Sequence, residues 1–386
     1  MKTSWFFFLQ HFILIKIFSG SLVDYKACQI KYNCTTTNLN PGECPSGKFL
    51  DTRYTNNCCH GCRSGIGRGE SGCSVTRANR KCAPGLICDE DFYCILERTS
   101  CLHTMHFDEN LVGWKPKCEI DGTYSPKQCR GDKLTGRCFC YAEAGERVFG
   151  WKWWRNADSM TCTCSRQRYK AEKSGRLDVT VHCLSNGNYE DLQCDMGICW
   201  CADESDGHIV KGTFAVPEAL WTYLPCYNES FHGDQYLRKC ESAAFAQKIA
   251  QKKLINRGAI NAVPRQIQCN YDGTYGEIII ENPLAFCQMP DGSKLNYAAP
   301  SKMMSDMNCN CARDEKIFTM SGIEFNLRCS NNGNYEPNQD QNGKIFCVDR
   351  YGFSVSPLLQ PDSGLDCDQY IYYAQEDLFF EDEFEY

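Results

Sequence analysis

Thiols dominate the side chains of this 386-residue chain that could do chemistry. It carries thirty cysteines, several set side by side or one residue apart, as in Cys58 with Cys59, Cys138 with Cys140, Cys162 with Cys164 and Cys309 with Cys311. Such thiols can attack a substrate, ligate zinc or oxidise to disulfides. The groups that the first two roles require are missing, for there is no HExxH and no GxSxG, and past His11 only His103 and His106 have ligand-like spacing. The glycines of SGIGRGESG (64–72) follow no apolar strand and lead into no helix, so they read as a surface loop and not as a nucleotide fingerprint. Oxidation remains. With all thirty thiols paired, the chain is expected to be no enzyme and to hold neither metal nor cofactor.

Pairing needs an oxidising compartment, and the first 21 residues supply the route. Lys2 precedes the apolar run Trp5 to Phe18, and Ser19 and Ser21 suit cleavage after Ser21, so residues 1–21 read as a signal peptide and the chain as secreted and extracellular. No later run is apolar for long enough to span a bilayer. Seven acids (Asp368, Glu376, Asp377, Glu381, Asp382, Glu383 and Glu385) lie beyond the last cysteine and account for the net charge of −7, leaving a body of balanced charge. Nucleic acid is therefore excluded as a partner, since neutralising phosphates needs a basic surplus.

The elements that position these cysteines are repeated. CEIDGTYSPKQC (118–129) returns as CLSNGNYEDLQC (183–194), CNYDGTYGEIII (269–280) and CSNNGNYEPNQD (329–340). In each copy Asp or Asn before Gly supplies the backbone of a tight turn. Tyr124, Tyr189, Tyr275 or Tyr335 follows, large enough to plug a domain too small for an ordinary core. A second shared phrase comes next, CFCYAEAG at 138, CWCADESDG at 199, AFCQMPDG at 285 and IFCVDRYG at 345, so one unit is repeated four times.

These phrases resemble thyroglobulin type-1 repeats, whose pattern is six cysteines with a DGxY-like turn, a Gln-Cys pair and a Cys-Trp-Cys triplet. The resemblance implies small disulfide-rich α+β modules in tandem, each a short helix or loop plus a minimal antiparallel hairpin. It divides the chain into a cysteine-rich amino-terminal module (22–97), repeats at 98–163, 164–230, 239–310 and 311–368, and an acidic aromatic tail (369–386). It also implies the bridges Cys101–Cys118, Cys129–Cys138 and Cys140–Cys162 in the first repeat and Cys164–Cys183, Cys194–Cys199 and Cys201–Cys226 in the second. In the third and fourth repeats the middle pair is replaced by Ile280 with Ala285 and by Asp340 with Ile345. Both partners vanish together, which leaves Cys240–Cys269, Cys287–Cys309, Cys311–Cys329 and Cys347–Cys367. Each lost closure removes about 2–3 kcal/mol of stabilisation, so these two repeats should be the looser ones.

Ala243 to Asn256 combines good helix formers with basic residues near its end and Gly258 as a stop, predicting a helix in the third repeat. One residue separates Cys162 from Cys164 and Cys309 from Cys311, whereas the segment between Cys226 and Cys240 is long enough for a hinge. In the amino-terminal module CCHGC (58–62) and CAPGLIC (82–88) loosely resemble the amino-terminal module of insulin-like growth factor binding proteins, which implies an insulin-like peptide as partner. Asn33 and Asn228 stand in glycosylation sequons.

Some thyroglobulin type-1 repeats inhibit papain-like cysteine proteases by wedging three stapled loops into the substrate cleft, and the resemblance implies a protease of the cathepsin L type as partner here. The first repeat fits best. Its loops would present Gly113, Trp114, Lys115 and Pro116, then Gly131, Lys133 and Leu134, then Gly145 and Val148. The alternative is an extracellular binding or matrix protein, acting through the amino-terminal module or through an integrin that reads Arg130, Gly131 and Asp132.

Overall fold

The computed structural model describes residues 48–55, 59–74, 80–98, 100–107, 114–119, 121–176, 179–259, 267–368 and 370. The leader, Asn33, Gly113 and the tail beyond residue 370 lie outside them. The chain forms small disulfide-rich α+β modules in tandem, and among the described residues every sheet has two or three antiparallel strands. Stretches this short between cysteines cannot build larger sheets, so bridges do the work of an apolar core. Among the described residues no cysteine is free, and no helix is long and apolar enough to cross a membrane.

The chain divides into two compact units. The first comprises Met1–His103 with Cys118–Tyr124. In it β1 (Lys48–Thr55) pairs with β2 (Cys59–Ser64), and β3 (Leu86–Cys88) pairs with β4 (Cys94–Leu96). Cys73–Cys88, Cys82–Cys94 and Cys101–Cys118 staple it. The turn glycine Gly122, at φ +80°, lies against Gly85, where a methyl group added at Gly122 would fall 2.4 Å from the Gly85 Cα. α1 (Cys101–Phe107) opens on the first cysteine of the repeat pattern.

The second unit comprises Thr104–Lys117 with Ser125–Tyr386. In order it holds the sheet of β5 (Lys127–Arg130), β6 (Arg137–Tyr141) and β7 (Arg147–Trp153), then α2 (Thr163–Lys173). Next come β8 (Leu192–Asp195), β9 (Ile198–Cys201), β10 (Val216–Pro217) and α3 (Glu229–His232). α4 (Lys239–Asn256) precedes β11 (Ile278–Glu281), β12 (Leu284–Gln288) and β13 (Lys294–Pro300). α5 (Asn310–Met320), β14 (Asn338–Gln341) and β15 (Lys344–Cys347) complete it. α4 starts four residues before the expected Ala243, because the Arg238 backbone N–H and the Glu241 carboxylate close a capping box at 2.9 Å.

Two junctions are built alike. Cys162 (φ 62°) and Cys309 (φ 53°) are left-handed residues that cap α2 and α5, so one residue turns the chain from the last bridge of one repeat into the first helix of the next. The following turn glycine then seats on the preceding bridge, since a methyl group at Gly187 or Gly333 would fall 2.4 Å from Cys140 Sγ or Cys287 Sγ. The recurring Asp/Asn-Gly pair thus serves close approach as well as turn geometry.

The segment expected to hinge is instead packed. Tyr236 is buried, donates its hydroxyl proton to the Thr180 carbonyl at 2.9 Å and stacks on His182, while Arg238 pairs with Glu190 at 2.8 Å. Arg168 lies 4.6 Å over the Tyr271 ring, tying the second repeat to the third. Trp153 meets Phe318 edge-on at 5.1 Å, and Arg137 pairs with Asp314. Within this unit the repeats therefore touch first to second, second to third, third to fourth and fourth back to first.

Where the middle bridge is absent, the strands keep register. Ile280 pairs with Ala285 and packs in an apolar cluster, and Asp340 pairs across from Ile345 while its carboxylate meets Arg328 at 3.0 Å.

Candidate functional site

The most prominent exposed loop of the first repeat joins β5 to β6. Cys129 and Cys138 face each other across these strands with their Cα atoms 3.9 Å apart, and their bridge closes a loop of eight residues, Arg130 to Arg137. Gly131 is left-handed (φ +86°), and Gly136 has no room for a side chain, since a Cβ there would fall 2.3 Å from the Asp132 carbonyl oxygen. Asp132 turns its carboxylate onto its own loop. It accepts from the Leu134 and Thr135 amides at 2.7 and 3.0 Å and from the Thr135 hydroxyl, and these bonds, the hydroxyl's first, hold its pKa below the ordinary 3.8. The result is a rigid tip on which Lys133 is exposed and Leu134 is 73% exposed.

A second segment is pinned to the base of that loop. The Trp114 indole N–H donates to the Cys129 carbonyl at 3.0 Å, and its ring stands 6.0 Å from Tyr141 and 4.7 Å from the Arg130 guanidinium. Lys115 is exposed beside it and Pro116 is buried. Behind both, Gln128 accepts from the Lys117 amide at 2.8 Å and donates to the Lys117 and Ser125 carbonyls at 2.7 and 2.9 Å. One buried amide thereby fastens the segment before the strand to the strand itself. Gln193 and Gln339 do the same in the second and fourth repeats. Their recurrence before the third cysteine position was visible in the sequence, but their bonding was not.

Two residues expected to face a partner do not. Gly145 is buried, and Val148, 9% exposed, belongs to the cluster around the Cys140–Cys162 bridge, because β7 turns it inward against α2. The third loop therefore offers only its outer residues Glu143 and Ala144. The integrin reading fails on geometry as well. The Arg130 side chain is only 10% exposed, pairs with Asp349 at 2.8 Å and lies 4.2 Å over the Phe353 ring, while Asp132 is committed to Thr135. The Arg130 charge is therefore not presented to a partner, whereas Asp132 is exposed but turned onto its own loop.

The fourth repeat covers the face of the sheet behind the loop. Asp314 takes two hydrogen bonds from Arg137, at 2.6 and 2.5 Å, and a third from the Tyr335 hydroxyl at 2.6 Å. Burial alone would push the Arg137 pKa down, and the Asp314 carboxylate more than reverses it. Arg147 is sandwiched between the rings of Phe139 (3.7 Å) and Tyr351 (4.7 Å). No sequence signal pointed to this contact.

Among the described residues His103 belongs to no group of three or more possible metal ligands, and the His106 side chain lies outside them. The Cys73, Cys82 and Cys88 sulfurs lie together, but each is consumed by a bridge.

Comparison with known proteins places this geometry in context. The sequence model of the thyroglobulin type-1 repeat matches residues 94–162 and 162–220. Similar proteins include equistatin of Actinia equina (32% identical over 106 residues, 25% of this chain and 44% of that protein). Thyroglobulin of Homo sapiens is 31% identical over 105 residues, 25% of this chain and 4% of its own length. U20-hexatoxin-Hi1a of Hadronyche infensa is 31% identical over 99 residues, 25% of this chain and 64% of its own length. The chain spans less than two thirds of the length of each.

Proposed function

We propose that this chain, which belongs to the thyroglobulin type-1 repeat family through residues 94–220, is a secreted inhibitor of papain-like cysteine proteases that acts through its first repeat. The observation that carries the reading is the exposed, internally bonded tip Lys133–Leu134, stapled by Cys129–Cys138, with Trp114 fixed to its base. A protease of this class holds substrates as extended strands. A hairpin tip locked by its own aspartate and a bridge can enter the cleft with little loss of entropy and without offering an extended segment for cleavage. Inhibitory loops of this family work in that way, and the residues named stand at the matching positions. The chain acts by binding and not by turnover.

The contact with the fourth repeat refines the reading, since Arg130 and Arg147 are held from behind by Asp349, Phe353 and Tyr351. The inhibitory element is then the whole second unit with the Lys133–Leu134 tip and Trp114 as its leading edge. The test uses the full chain recovered from culture medium with a cathepsin L-type enzyme. Inhibition in the submicromolar range, about −8 kcal/mol or better, is expected, and Leu134→Asp should weaken it at least about tenfold. A correctly bridged chain that leaves the enzyme unaffected overturns the proposal.

A further inference from the structure

A cleft of about 310 Å³ opens in the second repeat, away from the loop described above, lined among others by Tyr189, Asp191, Glu204, Asn228, Phe231 and His232. Its polar groups are not all satisfied from within the protein. The His232 side chain is 1% exposed, and its Nδ1 accepts from the Asn228 backbone N–H at 2.9 Å. The neutral ring must therefore carry its proton on Nε2. Burial pushes the imidazole pKa below its ordinary value, which favours that neutral form. Yet Nε2 has no hydrogen-bond partner, for the nearest carboxylate oxygen, of Asp191, is 3.6 Å away and out of bonding range. A buried donor without an acceptor, on a residue that lines a cleft, is destabilising unless something reaches it.

The other walls define what that something is. Asp191 and Glu204 offer carboxylate oxygens that accept from hydroxyls, and Phe231, 56% exposed, offers an apolar ring face. A pyranose bearing an acetamido group has all three complements: hydroxyl donors, a carbonyl acceptor for Nε2–H, and a C–H face that packs on an aromatic ring. Asn228 itself stands at this cleft, is exposed, and begins the sequon Asn228-Glu229-Ser230. Its side-chain oxygen is held by the Ser230 amide at 3.0 Å, leaving the amide nitrogen as the atom to be modified.

We propose that Asn228 carries an N-linked glycan and that the cleft seats its first sugar, an N-acetylhexosamine, as a noncovalent clamp on the segment joining the second and third repeats. The inference rests on export of the chain but not on protease inhibition. In the modification the Asn228 amide nitrogen bonds to the anomeric carbon of a lipid-pyrophosphate-linked oligosaccharide, losing a proton, while the bond from that carbon to the phosphate oxygen breaks and the lipid pyrophosphate leaves.

The test uses the full chain secreted from a glycosylating cell. Site-resolved mass spectrometry should find a sugar on Asn228, and Ser230→Ala, which keeps the asparagine, should abolish it. Peptide N-glycosidase should release the sugar from the native wild-type chain at least tenfold more slowly than from the Phe231→Ala chain. If Phe231→Ala does not fold, thermal unfolding of the wild type trimmed to a single sugar is compared with that of the fully deglycosylated chain, and the single sugar should preserve the higher midpoint. A secreted chain without sugar at Asn228 overturns the proposal while leaving export and inhibition untouched. Equal release rates, or equal midpoints with one sugar and none, overturn the seat.

Discussion

Arg137 and Asp314, 177 residues apart in the chain, meet in a two-pronged ion pair at 2.6 and 2.5 Å with both side chains almost wholly out of solvent. This pair joins the first repeat to the fourth. Replacing Asp314 by Ala leaves a buried guanidinium without its counter-charge and the Tyr335 hydroxyl without its acceptor, which costs about 3–5 kcal/mol. Urea unfolding of Asp314→Ala should show that loss. The double change Arg137→Met with Asp314→Leu should be markedly less damaging, because the uncompensated charge is gone as well.

The pH range over which the Cys129–Cys138 loop stays ordered follows from Asp132. Its bonds to Thr135 and Leu134 depress its folded pKa below 3.8, so their contribution is present above that value and is lost only as pH falls through the lower folded pKa. Inhibition should be flat down to pH 4.5, where acidic proteases work. Asp132→Ala should loosen the loop and weaken inhibition about tenfold at every pH in that range, measured as the inhibition constant from pH 4.5 to 7.

His182 behaves oppositely. It is fully buried, with Nε2 2.7 Å from Glu241 and Nδ1 3.5 Å from Glu190, the second an ionic distance and not a hydrogen bond. Tyr236 stacks on the ring, and Arg238 shares Glu190. Burial pushes its pKa down, but the two carboxylates together raise it above the ordinary 6.5. A raised folded pKa gives stability that is fully present below 6.5 and is lost as pH rises through the folded value. Unfolding midpoints should therefore fall as pH climbs from 6.5, and His182→Gln should flatten that slope while lowering stability at pH 6 by about 1–3 kcal/mol.

Gly187 and Gly333 test the repeated seating of a turn on the preceding bridge. Each has φ +83°, and each would place a methyl group 2.4 Å from a bridge sulfur. Alanine at either position adds about 1–2 kcal/mol of left-handed backbone strain to about 1–3 kcal/mol of overpacking. At Gly197, where φ is +79° but nothing lies within 4 Å, alanine should show the backbone part alone. Equal losses at all three sites in thermal unfolding would show that the turn bears on nothing.

Much of the site was legible because it is local. Trp114, Lys115, Gly131, Lys133 and Leu134 sit within a few residues of cysteines, and a bridge closing a short hairpin leaves its tip outside. The readings that went astray concern contacts between distant segments. Val148 lies in a loop by sequence, yet β7 carries it inward, and Gly145 is buried in the turn before that strand. Arg130 belongs to an integrin-like tripeptide by sequence, yet Asp349 takes its charge from 219 residues away. The segment between Cys226 and Cys240 looked like a hinge because it lacks staples, and Tyr236 and Arg238 pack it down without any.

Cysteine spacing, turn residues and the recurring tyrosine and glutamine are short-range signals, and by themselves they determined the module type and led to the expectation of four copies and of the stapled loop at Cys129–Cys138. Which loops remain exposed, and the return of the fourth repeat onto the first, were decided by tertiary structure alone. Those outcomes depend on charges and rings from far along the chain meeting in a solvent-free interface, where an ion pair such as Arg137 with Asp314 becomes favourable only once packing has brought both sides together.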